Sequence, residues 1–131
     1  IMSTKDSRNI LPDSVSLEQR SRTVADASRV VAGVLQDDLE LMASGMRDEV
    51  VEDARSELID GYDTACREAK KAGAKAVTIS GAGPSLLAVC DVKDQPAVAE
   101  AFVEGFWGEG VDSKAYQARV SNGIEVLTKR P

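Results

Sequence analysis

The sequence predicts an α+β fold: a two-layer, ferredoxin-like sandwich in which a helical block precedes a small, mainly antiparallel sheet. Two observations carry this expectation. Apolar residues recur at helical spacing from about residue 16 to residue 72, and the period then changes to short apolar runs of strand length. The resulting order of helices, strand, strand, helix and strand matches the second part of a ferredoxin-like unit, with helices layered on a sheet. One strand is missing from that count; it should precede the first long helix.

Residues 1–15 read as extended and irregular, with a turn at Pro12-Asp13-Ser14. Ser16-Leu17-Glu18-Gln19 reads as a capping box, in which the Ser16 hydroxyl and the Gln19 side chain satisfy each other's backbone N–H. Behind it, Val24, Ala27, Val31, Val34 and Leu35 define the apolar face of a long amphipathic helix to about residue 36. Asp37-Asp38 can cap a short helix carrying Leu39 and Met42 that ends near Gly45. Val50, Val51, Ala54 and Leu58 mark a third helix, interrupted at Gly61. Tyr62, Ala65, Cys66 and Ala69 continue a fourth to Gly73.

Ala74–Ser80 and Leu86–Cys90 read as strands. Asp94 with Pro96 predicts a helix start, and Val98, Phe102 and Phe106 run along that helix until Gly108 and Gly110 close it. Trp107 with Phe102 and Phe106 reads as core or core-edge packing, and so do Met42 and Met46. Ala115–Val120 alternates apolar with polar and predicts a half-buried strand. Asn122-Gly123 signals a turn into a last strand at Ile124–Leu127.

A chain of 131 residues fits one domain, and 43% apolar with 29% charged residues is ordinary for a globular fold. No apolar run approaches the ~20 residues of a membrane span, and the first residues lack a signal-peptide segment. The expectation is a cytoplasmic protein with no membrane partner. The net charge of −6 is spread along the chain, with Glu52-Asp53 and its neighbours read as solvated faces. Such a field repels phosphate backbones, so no nucleic-acid partner is expected. The same balance suits both an ordinary surface and adaptation to salt. Cys66 and Cys90 have no histidine companions, since the chain has none; they read as buried reduced thiols, and His-based triads and His-ligated zinc are excluded.

The strongest chemical signal is Ser80, Gly81, Ala82, Gly83, Pro84 and Ser85 between two strands. Glycines one residue apart allow a sharp turn whose N–H groups face outward, a concave surface that favours an anion. An ordinary glycine-rich hairpin explains the same residues equally well. The segment is neither a P-loop nor a Rossmann glycine motif.

Thr78 to Ser85 resembles the third motif of the GHMP kinases, and the SGAGPS form is most similar to homoserine kinases. Ser3-Thr4-Lys5-Asp6-Ser7-Arg8 followed by Ile10-Leu11-Pro12 resembles that family's S-T-x-x-x-R-x-x-L-P segment. Glu52, Arg55, Leu58 and Ile59 resemble its E-x-x-R-x-x-L-I helix, and Val120 to Val126 its closing strand, with Gly-Ile where Gly-Ala is usual.

The resemblance spans essentially residues 1–131 and implies a GHMP kinase C-terminal domain. It implies that Thr4, Arg8 and Arg55 hold the substrate, both arginines meeting the carboxylate of L-homoserine. A planar guanidinium suits that task, because it can donate two parallel hydrogen bonds. Taken singly, Arg55 could instead pair with Glu52 or Asp48 on a helix surface, and Arg8 could be a solvated loop charge. ATP and Mg²⁺ are implied as cofactors, bound mainly by an N-terminal GHMP domain whose P-x-x-x-G-L-G-S-S-A loop does not occur here. Losing that loop should leave the chain inactive by itself. No catalytic residue and no metal ligand is assigned within it.

The resemblance further implies a role in threonine biosynthesis; a homodimer stays open. Two other readings stay open as well: a GHMP kinase acting on another alcohol, and a non-catalytic ferredoxin-like module that binds an amino acid.

Overall fold

The computed structural model describes residues 4–121 together with Gly123 and Val126. The order is α1 (Thr4–Asn9), α2 (Leu17–Gln36), α3 (Leu39–Ser44), α4 (Val51–Ser56), α5 (Tyr62–Lys71), β1 (Ala76–Ile79), β2 (Leu86–Val89), a 3-10 turn (Val92–Asp94) and α6 (Gln95–Gly108). Among the described residues it is a mixed fold of helices with a small antiparallel sheet of two strands, which is the fold class the sequence predicts, with fewer strands.

Local chemistry sets most boundaries. The Ser16 hydroxyl accepts the Gln19 N–H at 3.0 Å while Gln19 Oε1 accepts the Ser16 N–H at 2.9 Å, which completes the capping box of α2. Asp38 Oδ1 accepts the Leu41 N–H at 2.9 Å and caps α3. Gly61 takes a φ of +79° ahead of α5, and Gly73 one of +114° beyond it, where a side chain would be strained. Asp94 stands immediately before α6 but its side chain makes no capping bond; the 3-10 turn leads the chain in instead.

Strand alternation assembles the core. Val77 pairs with Ala88 and Ile79 with Leu86, so these four share one face of the hairpin. On that face Val77, Leu86 and Ala88 meet Cys66 and Ala69 of α5 and Val98 and Phe102 of α6. Leu87, on the other face, is half exposed. Helices approach closely where side chains vanish: a Cβ on Gly105 of α6 would stand 2.8 Å from Ala65 Cα in α5. One on Gly33 of α2 would stand 2.3 Å from the Met42 backbone nitrogen in α3.

Other sequence expectations need correction. Residues 4–9 form a helix rather than the extended, irregular segment expected there; Ser7 is buried and its carbonyl is held by Arg55. The long helix forms as expected, and among the described residues its apolar face is left largely exposed. Gly33 and the neighbourhood of Asp26 and Arg29 pack on α3, and at ~3.6 residues per turn Leu17, Val24, Val31 and Leu35 point the opposite way. Those four are 58% to 81% exposed.

Ala115–Val120 is not a strand: no ladder partner lies beside it among the described residues, and Tyr116 and Val120 are exposed. Trp107 is 72% exposed, so only Phe102 of that aromatic group joins the core. Glu52 is buried rather than solvated. The turn at Asn122-Gly123 and the strand at Ile124–Leu127 fall outside the described residues, apart from Gly123 and Val126.

Candidate functional site

Three segments far apart in sequence meet at Arg55. Its helix, α4, starts on a local cap: Asp48 Oδ1 accepts the N–H groups of Val50 at 3.0 Å and Val51 at 2.9 Å. Glu52 reaches back toward the Asp48 N–H at 3.4 Å and accepts the Tyr62 hydroxyl of α5 at 2.5 Å. One turn on, Arg55 donates from Nε to the Ser7 carbonyl of α1 and from Nη1 to the Gly81 carbonyl of the hairpin loop, both at 3.0 Å. Neither bond is the surface ion pair with Glu52 or Asp48 that its spacing also allows. The Nη2 amino group donates to no acceptor among the described residues, which leaves part of the guanidinium able to grip a carboxylate.

The loop itself is closed at its base and open at its tip. The Ser80 N–H donates to the Ser85 carbonyl at 2.8 Å, and the Gly83 N–H to the Ser80 carbonyl at 3.2 Å. Gly81 and Gly83 adopt φ of +62° and +85°, and the Gly83–Pro84 peptide is cis. Among the described residues, the N–H groups of Gly81 and Ala82 donate to no protein acceptor. Amides left without a partner on a turn of this kind fit an anion such as a phosphate. Ser80, Pro84 and Ser85 are exposed around them.

Arg8 lies next to Ser7 on α1, exposed, with no ion pair among the described residues. Thr4 opens the same helix; its side chain lies outside the described ones. The structure therefore joins the segments of Arg8, Arg55 and the loop through one guanidinium.

Sequence reasoning gave Ser7, Glu52 and Tyr62 no role, although Ser7 and Glu52 stand within the quoted motifs. An acidic residue beside Asp53 looks solvated, and Tyr62 occupies an ordinary apolar helix position. Burial, and secondly the bond to Glu52, push the Tyr62 phenol well above its usual range; burial also raises the Cys66 thiol. An open groove of about 780 Å³ runs beside α4, with Arg47, Glu52, Asp63, Arg67, Lys70 and Lys75 among its lining. Arg55 and residues 80–85 do not line it. Among the described residues, no group of three or more His, Cys, Asp or Glu is placed to hold a metal ion.

The family model described as "GHMP kinases C terminal" matches residues 30–107, which include Arg55 and the whole Ser80–Ser85 loop. This chain belongs to that family. Proteins named homoserine kinase are similar to this GHMP domain over nearly all of its length. The one from Haloarcula marismortui is 42% identical over 127 residues, covering 97% of this chain and 44% of that protein. The one from Pyrobaculum aerophilum is 38% identical over 120 residues, covering 92% and 40%.

Among solved structures, the crystal structure of homoserine kinase from Cytophaga hutchinsonii superposes with a TM-score of 0.79 at 38% identity. That match covers 82% of this chain and 35% of that one. The GHMP domain described here thus spans about two-fifths of the length of these curated relatives.

Proposed function

We propose that residues 1–131 are the C-terminal domain of a homoserine kinase, closing over substrate and nucleotide held mainly by an N-terminal GHMP domain. The full-length protein would transfer the γ-phosphoryl group of ATP to the hydroxyl of L-homoserine, giving O-phosphohomoserine and ADP in the cytoplasmic route to threonine. The names and the two-fifths span of the relatives support this reading.

The observation that carries it is the pair of hydrogen bonds that Arg55 donates to the Ser7 and Gly81 carbonyls, because they bring the substrate-side and phosphate-side segments together. In this reading Arg8 and the free end of Arg55 grip the substrate carboxylate, and Thr4 contributes a hydroxyl. The unpartnered amides at Gly81 and Ala82, with Ser80, Gly83, Pro84 and Ser85 shaping the turn, face phosphate oxygens. Bound ATP and Mg²⁺ would supply the phosphoryl group and neutralise its developing charge. Positioning is then this domain's contribution to the rate.

The test is ADP release by the full-length protein over a panel of alcohols. Homoserine should be turned over best, and Arg8→Ala should raise its KM at least tenfold while the KM for ATP stays within about twofold. The 131-residue chain by itself should be inactive. Turnover of mevalonate or shikimate in place of homoserine defeats the substrate assignment. Phosphorylation of homoserine by the chain alone defeats the need for a second domain.

A further inference from the structure

We propose that Glu52 and Tyr62 are positioning residues for Arg55, fixing the rotation of α4 so that the guanidinium stays aimed between Ser7 and Gly81. This inference rests on the substrate-binding role given to Arg55 above. α4 has only six residues, and a helix that short has little stability of its own. Its one buried residue among the described ones is not an apolar side chain but the carboxylate of Glu52. A leucine there would hold the helix down by non-directional packing and leave it free to roll. A carboxylate that accepts a phenol at 2.5 Å holds it at one angle, because the hydrogen bond weakens steeply off line.

Residues at i and i+3 lie next to each other on a helix, so a roll about the axis moves Glu52 and Arg55 together. Tyr62 is itself well anchored. It stands at the start of α5, packs against the core cluster of Cys66, Ala69 and Val77, and follows the left-handed turn at Gly61. The chain of contacts therefore runs from the core through Tyr62 and Glu52 to Arg55, and from there to α1 and the loop. Small errors in the placement of a substrate-gripping group are costly, since productive geometry tolerates little displacement.

Steady-state kinetics of the full-length enzyme test this with Tyr62→Phe, Glu52→Gln and Glu52→Ala, and with Arg55→Ala as the reference. Tyr62→Phe keeps the ring and removes the bond; it should raise the KM for homoserine about 3- to 10-fold and leave the KM for ATP within about twofold. Glu52→Ala should do at least as much. Glu52→Gln keeps a carbonyl acceptor for the phenol and should restore the homoserine KM to within about threefold of the parent.

If Arg55→Ala raises the homoserine KM selectively while Tyr62→Phe changes neither KM, or both alike, the positioning role is overturned and the substrate reading stands. If Arg55→Ala itself leaves the homoserine KM unchanged, the substrate reading fails and this inference falls with it. Should Glu52→Ala not fold, the isosteric Tyr62→Phe still decides.

Discussion

Arg55 Nη1 donates to the carbonyl oxygen of Gly81 at 3.0 Å, and this bond binds a helix to the tip of a hairpin 26 residues further along the chain. Since Nε of the same group holds the Ser7 carbonyl, one rigid plane sets the distance between α1 and the loop.

A lysine cannot reproduce that plane. In the full-length protein, Arg55→Lys should raise the homoserine KM at least tenfold and lower stability by about 1–2 kcal/mol, from the loss of charge-assisted bonds to backbone carbonyls. Kinetics and urea melts on one preparation check both halves. A lysine variant with parental KM would show that the fork geometry is dispensable.

Gly33 should be intolerant of even one methyl group. Its Cβ would stand 2.3 Å from the Met42 nitrogen, a backbone atom that can yield only if α2 and α3 separate. Gly33→Ala is expected to cost about 1–3 kcal/mol. Gly108→Ala, where a Cβ meets nothing within 4 Å, should change stability by less than about 0.5 kcal/mol. Equal effects from the two substitutions in a denaturant series would contradict the close crossing.

Alkaline pH should loosen the contact between α4 and α5. The thiol of Cys66 and the phenol of Tyr62 both have raised pKa values in the folded state, first because burial disfavours their anions. A raised folded value means the stabilisation is complete below the ordinary values of 9.0 and 10.0 and declines as pH rises above them. The melting temperature should therefore fall from pH 8 to pH 10.5, and Tyr62→Phe with Cys66→Ala should flatten that decline. An unchanged slope in the double variant would rule these groups out.

The outward stripe on α2 makes a different kind of prediction. Val24→Gln with Val31→Gln should leave the melting temperature of the 131-residue chain nearly unchanged, because both side chains point away from α3 and are largely exposed. The same pair should reduce binding of an apolar dye, since a contiguous exposed apolar surface is what such dyes detect. A sharp loss of stability would mean that the stripe is a core face after all.

What the sequence made legible was much of what is written in local chemistry, though Asp94 makes no capping bond and the Asp48 cap went unread. Ser16 with Gln19, Asp38, Gly61 and Gly73 announce their helix ends, and the glycine loop announces a turn between apolar strands. What it concealed depended on partners. The stripe at Val24 and Val31 has helical period, but periodicity does not say which face finds a neighbour. Ala115–Val120 alternates like a strand, yet alternation needs an adjacent ladder to become one. At the site, Arg8, Arg55 and the loop were visible as motifs. Ser7 was not, because its contribution to Arg55 is a backbone carbonyl that any residue could present.

The buried carboxylate on α4 sets two demands against each other at one position. Replacing Glu52 with leucine and Tyr62 with phenylalanine together removes a buried acid along with the hydroxyl it accepts from, and trading both partners for apolar groups is often neutral or favourable to folding. Such a protein would melt no earlier than its parent and still grip its substrate less well, so thermal screening alone would rank the poorer enzyme as the better molecule.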